Sequence, residues 1–190
     1  MADPARRVAT YEDLLAAPEH HIAQIVDGEL HVHPRPAGPH ATFASGLGGD
    51  VMAPFQRGRG GPGGWVFLFE PELHFGADVV VPDLAGWRVE RAPAMDAAHF
   101  TVAPDWICEV VSPRSGRLDR GAKADLHARV GVAHLWLVDP EQNLVEAFSL
   151  VDGRWTRLGA WVGAVRARIP PFDAVELDLE PLWVLRPEDE

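Results

Sequence analysis

The apolar and polar residues of this chain alternate with two different periods, which predicts both helices and strands. Apolar residues recur at helical spacing between 40 and 56 and again between 119 and 130, where Gly131 ends the segment. Short β-branched and aromatic runs bounded by turn residues predict strands. We expect strands at residues 22–26, 29–33, 65–69, 79–81, 84–89, 106–111, 134–138, 144–150 and 154–158.

The residues between these elements indicate how they connect. Asp27-Gly28 and Asp152-Gly153 are two-residue turn signals, so each of them predicts a β-hairpin. Thr10 precedes the acidic pair Glu12-Asp13 and predicts a short N-terminal helix ahead of the first hairpin. Residues 84–89 are expected to continue the strand 79–81 past Pro82-Asp83.

This order of elements predicts the α/β class, with a mixed β-sheet flanked by helices and an N-terminal helix and hairpin. A chain of 190 residues that is 47% hydrophobic is long and apolar enough for one domain, 1–190, with a full core. We expect that core at about residues 20–158. Residues 170–190 are rich in proline and acidic side chains, so we expect a surface extension there.

Several environments are excluded by the composition. The N-terminus lacks the apolar run of a signal peptide, and no stretch reaches the roughly 18 apolar residues that cross a bilayer. Cys108 is the single cysteine, so neither an internal disulfide nor a cysteine-based zinc cage can form. We therefore expect a cytoplasmic protein without a membrane partner.

The net charge of −11 argues at first sight against a nucleic-acid partner. Most of that charge lies at the two ends. Residues 1–29 carry six acidic and two basic side chains, residues 172–190 carry seven and one, and the middle of the chain is close to neutral. Residues 112–129 contain five basic and two acidic side chains, so this segment is locally positive. We therefore expect any nucleic acid to be held weakly.

Two carboxylates interrupt apolar runs that read as buried strands. Glu109 lies inside the run 106–111, and Asp83 follows Val79-Val80-Val81-Pro82. A carboxylate in such a place costs several kcal/mol unless a cation or hydrogen bonds offset its desolvation. Two such acids on neighbouring strands would supply the oxygen ligands that Mg²⁺ or Mn²⁺ prefers. The alternative is that each acid ends its strand in solvent or pairs with an arginine.

Lys123 is the only lysine, against sixteen arginines, and lies on the helix that follows the Glu109 strand. An ammonium group is a compact cation that can orient a water molecule or neutralise a phosphate in ways that a planar guanidinium does not. The alternative is an ordinary solvated lysine on the surface.

A series of short motifs follows in a fixed order along the chain. The motifs are Asp27-Gly28-Glu29-Leu30, a Pro-rich loop ending at His40, Pro82-Asp83, the run from Pro104 to Pro113, Asp119-Arg120-Gly121-Ala122-Lys123, Gly131-Val132, and Trp136 to Pro140. In this order they resemble the Uma-type restriction endonucleases, a family of the PD-(D/E)XK nuclease superfamily. The resemblance extends over about residues 20–155.

That resemblance implies a restriction-endonuclease-like fold, dependence on Mg²⁺ or Mn²⁺, and hydrolysis of phosphodiester bonds. It implies that Asp83 and Glu109 hold the metal, with the carbonyl of Val110 as a third ligand. The superfamily places a catalytic lysine two residues after the glutamate. Val111 occupies that place here, so the resemblance assigns the lysine's role to Lys123.

Further residues receive roles by the same resemblance or by their charge. Glu29 would reach the site as a second-metal ligand or a base, and His40 would lie near the path of the phosphate. His127 stands where the family usually has tyrosine and is expected to be a packing or supporting residue. Basic side chains after the Glu109 strand are candidates for phosphate contacts, or else form a solvated basic loop. They are Arg114, Arg117 and Arg120.

A metal-dependent endonuclease acting on DNA is the function that these features favour. Two alternatives stay open: a catalytically silent dimeric binding module, which the acidic charge favours, and a metal-dependent phosphoesterase acting on a small phosphate in a closed pocket. We expect a homodimer, because cutting both strands of a duplex usually needs two sites.

Overall fold

The computed structural model describes residues 7–35, 38–112 and 115–183. Its strands are β1 (His21–Val26), β2 (Glu29–Pro34), β3 (Trp65–Phe69), β4 (Leu73–Phe75), β5 (Asp78–Val80), β6 (Leu84–Arg88), β7 (Trp106–Val110), β8 (His134–Asp139), β9 (Leu144–Val151), β10 (Arg154–Val162), β11 (Arg166–Ala167) and β12 (Leu177–Asp178). Its α-helices are α1 (Tyr11–Leu15), α2 (Gly38–Val51), α3 (Gly116–Leu118) and α4 (Ala124–Arg129).

Wider or tighter helical turns complete these helices. A π-helical turn, Met52–Gln56, extends α2, and another, Asp119–Lys123, joins α3 to α4. Two 3₁₀ turns lie at Val89–Arg91 and Glu180–Leu182. In the described part of the chain, no helix combines the length and the apolar character that crossing a membrane requires.

Six strands form the main sheet, in the order β10-β9-β8-β7-β6-β3. Only β7 and β8 run parallel within it, because the helical segment from α3 to α4 carries the chain back between them. A smaller antiparallel sheet has the order β2-β1-β5-β4. Strands β11 and β12 form a separate two-stranded antiparallel sheet. The predicted mixed α/β fold is therefore confirmed, although the strands divide among three sheets.

The first hairpin forms where the sequence predicts it. Asp27 and Gly28 have φ values of 50° and 76°, as a two-residue turn between twisted antiparallel strands requires. Strands β1 and β2 pair along their whole length, from Val26 with Glu29 to His21 with Pro34.

The expectation that one strand continues through residues 79–89 is wrong. Strand β5 belongs to the small sheet and pairs with β4, whereas β6 belongs to the main sheet and pairs with β3 and β7. Pro82 cannot donate a backbone hydrogen bond, so the ladder breaks there and the chain crosses between sheets. Asp83 therefore lies at the junction of the two sheets.

Both faces of the main sheet are buried at its central strands β6, β7 and β8. On one face, α2 and the C-terminal segment cover alternate residues of β7 such as Trp106 and Cys108. On the other face, α4 and residues of the small sheet pack against Ile107 of the same strand. Glu109 alternates with Cys108 and so lies on the α4 face.

The C-terminal segment, up to Trp183, is part of the core rather than the surface extension expected for residues 170–190. Phe172 is fully buried, and its ring lies within 4.9–5.6 Å of five aromatic rings. The indole of Trp136 donates to the carbonyl of Pro170 over 2.8 Å. The core thus extends well beyond residue 158, because a few large apolar side chains outweigh the acidic composition of the segment.

Candidate active site

A cavity of about 390 Å³ opens where the two sheets meet, next to the ends of β5 and β7. Five residues singled out from the sequence line it together. They are His40, Asp83, Glu109, Val110 and Lys123. The cavity wall also contains Gln24, Arg35 and Asp119.

Asp83 enters the cavity because the chain changes sheets at this residue. Strand β6 begins at Leu84, which pairs with Cys108, so beyond that point β7 has no strand partner on this side. The carboxylate of Asp83 takes that place, since its Oδ2 accepts a 2.6 Å hydrogen bond from the N–H of Val110. The Val110 carbonyl points to the same side, because Val111 directs its own N–H towards Val138 of β8.

Glu109 is a buried carboxylate, only 2% exposed, and has a hydrogen-bond donor on each oxygen. The ammonium of Lys123 donates to Oε2 over 2.8 Å. The ring Nε2 of His127 lies 3.0 Å from Oε1 and donates to it, since an ionised carboxylate only accepts. These bonds compensate for the loss of water that burial imposes on the charge.

Three polar residues on the helical segment share one face towards Glu109. Asp119 and Lys123 lie at the two ends of the π-helical turn, in which Gly121 has non-helical dihedral angles, and His127 lies four residues further on, in α4. All three are buried, and Lys123 Nζ also lies 3.3 Å from Asp119 Oδ1. The strand glutamate and this helix face therefore form one buried charged network.

The charges of this network are set by their neighbours. Burial alone would lower the pKa of Lys123, but the negative charges of Glu109 and Asp119 outweigh it and raise the pKa above its ordinary value. Lys123 is therefore a fixed cation at neutral pH. Burial, with a contribution from Glu109, raises the pKa of Asp119 despite the opposing charge of Lys123.

His40, in the first turn of α2, holds the other carboxylate. Its Nε2 lies 3.0 Å from Asp83 Oδ1. Burial opposes protonation of the ring, but the hydrogen bond and charge of Asp83 outweigh it and raise the pKa of His40. Asp83 is thus fixed by a backbone amide on one oxygen and by an imidazole on the other.

These oxygen ligands fit a hard divalent cation. Asp83 and Glu109 each bond one protein donor per oxygen, so lone pairs remain on both carboxylates, and the Val110 carbonyl faces the same edge. Within the described ranges, Asp83 and Glu109 belong to no group of three or more His, Cys, Asp or Glu residues whose ligand atoms all lie within 4.8 Å of one another. Mg²⁺ suits such a site, because it keeps several waters beside one or two carboxylates.

The structure does not bring the remaining predicted residues to the cavity. Glu29 opens β2, whereas the opposite end of that strand, His33 and Pro34, lines the cavity. Arg117 is exposed and lies outside the cavity wall, and Arg120 forms an ion pair with Glu146 over 2.6 Å. Arg114 lies outside the described residues.

Other residues enter the site although the sequence did not single them out for it. Asp119 read as the start of a helix, yet its side chain joins the buried network. Gln24 of β1 lines the cavity, and its Oε1 accepts a hydrogen bond from the N–H of Val81 over 2.9 Å. The spacing of four between Asp119, Lys123 and His127 was the available signal, because it marks one helix face.

The chain belongs to the Uma2 family, described as "putative restriction endonuclease", whose family model matches residues 8–180. Among curated proteins, none matches the chain. Among solved structures, the chain is similar to the crystal structure of "a putative nuclease belonging to DUF820" from Anabaena variabilis. The two are 21% identical, the TM-score is 0.71, and the match covers 92% of this chain and 97% of that one. The fold of the family is therefore shared along nearly the whole chain.

Proposed function

We propose that this protein is a metal-dependent nuclease that hydrolyses phosphodiester bonds in DNA. The observation that carries the proposal is the convergence of Asp83 and Glu109 in one cavity, with the ammonium of Lys123 bonded to Glu109. Membership of the Uma2 family supports the same class of reaction. The net negative charge of the chain repels the phosphates of DNA, so we expect the substrate to be held loosely.

Asp83, Glu109 and the carbonyl of Val110 would hold Mg²⁺ or Mn²⁺. When bound, such an ion supplies a hydroxide nucleophile at neutral pH and polarises a phosphoryl oxygen. Because Asp83 also accepts a hydrogen bond from the Val110 N–H, its carboxylate and the backbone of Val110 are held next to each other.

Lys123 contributes a positive charge that does not depend on pH in the neutral range. Because Glu109 and Asp119 favour its charged form, Lys123 would stabilise negative charge as the phosphate reacts. His127 and Asp119 position this machinery, since His127 bonds Glu109 and Asp119 bonds Lys123.

Phosphate approach would use cations on the cavity wall. His40 faces Asp83 inside the cavity, and Arg35 lines it with a side chain that is 60% exposed. The guanidinium of Arg35 lies 2.9 Å from Oε2 of Glu70. Because both side chains are exposed, this ion pair contributes little stability, and Arg35 would exchange it for a phosphate at little cost. Exposed Arg117 would contact DNA further away. A homodimer would present two such cavities to the two strands of a duplex.

A second candidate is a phosphoesterase that acts on a small phosphate. A cavity of about 390 Å³ lies within the usual range for pockets that hold a single small ligand. The two candidates share the metal site and differ in the size of the substrate.

The decisive experiment measures cleavage of supercoiled and single-stranded DNA at low salt, with Mg²⁺ or Mn²⁺. Asp83→Asn and Lys123→Met should each lower the rate by about 100-fold or more, because each removes a charge from the reacting centre. Glu29→Gln is the matched control, since Glu29 lies outside the cavity, and it should cleave as the wild type does.

The other outcomes separate the remaining hypotheses. Wild-type protein that neither cleaves DNA nor binds Mg²⁺ in calorimetry would contradict the proposal and favour a silent binding module. Hydrolysis of a small aryl phosphodiester without cleavage of DNA would favour the phosphoesterase. Loss of cleavage in Glu29→Gln alone would show that the catalytic site lies elsewhere.

A further inference from the structure

A second group of potential metal ligands lies outside the cavity, at the edge of the small sheet. Among the described residues, Glu72, His74 and His99 are the one group of three or more whose ligand atoms lie within 4.8 Å of one another. None of the three lines the cavity that contains Asp83 and Glu109. Their chemistry also differs, because two imidazole nitrogens and a carboxylate replace a set of oxygens.

The backbone explains why these three side chains share one face. Leu73 of β4 and Phe100 pair as a parallel bridge, with hydrogen bonds from His74 N–H to Phe100 O and from Phe100 N–H to Glu72 O. Leu73 and Phe100 are buried in the core. Side chains alternate along extended backbone, so Glu72, His74 and His99 all point to the opposite, outer face.

The side chains are already in contact on that face. His74 Nε2 lies 2.6 Å from Glu72 Oε1, and the rings of His74 and His99 stack with centroids 4.1 Å apart. The hydroxyl of Tyr11, in α1, donates to the same Glu72 oxygen over 2.8 Å. Outer hydrogen bonds of this kind orient the ligands of many metal sites.

We propose that Glu72, His74 and His99 form a zinc site. Two histidines and one glutamate are a known set of three protein ligands for Zn²⁺, with water in the fourth position, whereas Mg²⁺ and Ca²⁺ prefer oxygen ligands. A zinc ion takes the place of the proton between His74 and Glu72. It joins the segment that contains His99 to β4, and through Tyr11 it fixes the start of α1.

The site is accessible to an ion from solvent. His99 is exposed, and the side chains of Glu72 and His74 are 29% and 18% exposed. The exposed ring of His99 would have to turn from its stacked position on His74 to reach an ion, while the hydrogen bonds of Phe100 hold the neighbouring backbone in place. Of the remaining two ligands, His74 lies in β4 and Glu72 directly precedes that strand, and their side chains are already in contact, which limits the rearrangement that binding requires.

Calorimetric titration of the chelator-treated protein with Zn²⁺, in the presence of excess Mg²⁺, tests this site. We expect one Zn²⁺ per chain and a higher Tm with Zn²⁺ than without it. Loss of an outer partner alone weakens a metal site by about 10- to 100-fold, so His99→Gln and Glu72→Gln should weaken binding by about tenfold or more. Both should also reduce the rise in Tm at a fixed concentration of Zn²⁺.

Two variants serve as controls. His21→Gln removes an exposed histidine at the start of β1 and should leave Zn²⁺ binding unchanged. Asp83→Asn should also leave it unchanged, which separates this site from the proposed nuclease site. Absence of Zn²⁺ binding by the wild type overturns the zinc site. The proposal is also overturned if His99→Gln binds Zn²⁺ as the wild type does, or if Asp83→Asn no longer binds it.

Discussion

Oδ2 of Asp83 accepts a 2.6 Å hydrogen bond from the backbone N–H of Val110. Val110 directly follows Glu109, so this bond ties together the two carboxylates of the candidate metal site. It also closes the edge of β7 at the point where β6 has not yet begun. Asp83→Asn keeps an oxygen acceptor for this N–H, whereas Asp83→Ala leaves the N–H without one, so asparagine is the cleaner test of metal binding.

Lys123→Met should destabilise the protein strongly. The substitution leaves Glu109 and Asp119 buried without their shared cation, and breaking a buried ion pair in this way costs about 3–5 kcal/mol. Urea unfolding of metal-free protein measures the effect. Lys123→Met combined with Glu109→Gln should lose less stability than the two single changes together, whereas strict additivity would argue against coupling. Arg117→Met, at an exposed position, should change stability by about 0.5 kcal/mol or less.

His127→Leu should lower stability more than His127→Gln does. His127 is fully buried and supplies the hydrogen bond to Glu109 Oε1, so leucine leaves a buried carboxylate oxygen without a donor, at a cost of about 1–3 kcal/mol. Glutamine keeps an N–H donor of similar length. Thermal unfolding of both variants compares them. Equal losses would mean that packing, rather than the hydrogen bond, explains the role of His127.

The pair of His40 and Asp83 should make the stability of the metal-free protein depend on pH. Burial opposes protonation, but Asp83 raises the pKa of His40 above the value of about 6.5 in the unfolded chain. The folded state then binds the proton more tightly, so the pair stabilises fully below about pH 6.5 and less as pH rises through the folded pKa.

The measurement is the free energy of unfolding against pH, in chelator, for wild type and His40→Gln. The stability difference between the two proteins should be largest at low pH and should shrink towards alkaline pH. A difference that grows with pH would mean that burial of the ring dominates instead. His21→Gln, at an exposed position, should follow the wild-type curve.

Phe172→Ala should destabilise the protein by about 3–5 kcal/mol, because the ring is fully buried among five other aromatic rings. Val162→Ala, at a position 63% exposed, should change stability by about 0.5 kcal/mol or less. Chemical denaturation distinguishes the two. A small effect of Phe172→Ala would mean that the C-terminal segment is not required to close the core.

The sequence indicated the main elements and the centre of the site because those signals are local. A carboxylate inside an apolar strand, as at Glu109, and a single lysine on the following helix were visible without any knowledge of distant contacts. The division of residues 79–89 between two sheets could not be seen from the sequence, since both halves have a composition typical of strands. Pro82 is the residue that breaks the ladder, and its effect depends on which neighbours each half finds.

The buried partner of Lys123 was harder to find for a related reason. An aspartate at the start of a helix, such as Asp119, ordinarily faces solvent, and its negative charge interacts favourably with the positive end of the helix dipole. Its burial depends on how the helix packs against β7. The same holds for Phe172. It lies in an acidic segment with few apolar neighbours in the sequence, and the rings that it packs against belong mostly to strands far away in the chain.

The place of Phe172 also affects the order in which the protein folds during synthesis. Domains emerge from the ribosome N-terminal end first, and at that stage all of the strands of the main sheet precede the segment that covers one of its faces. A nascent chain that ends before residue 165 therefore keeps α2 on this face but lacks the ring of Phe172 that packs against Trp65, Trp106 and Trp136. Residues 165–183 are the last described part of the core to leave the ribosome, so the burial of this aromatic face is completed after the strands of the main sheet have emerged.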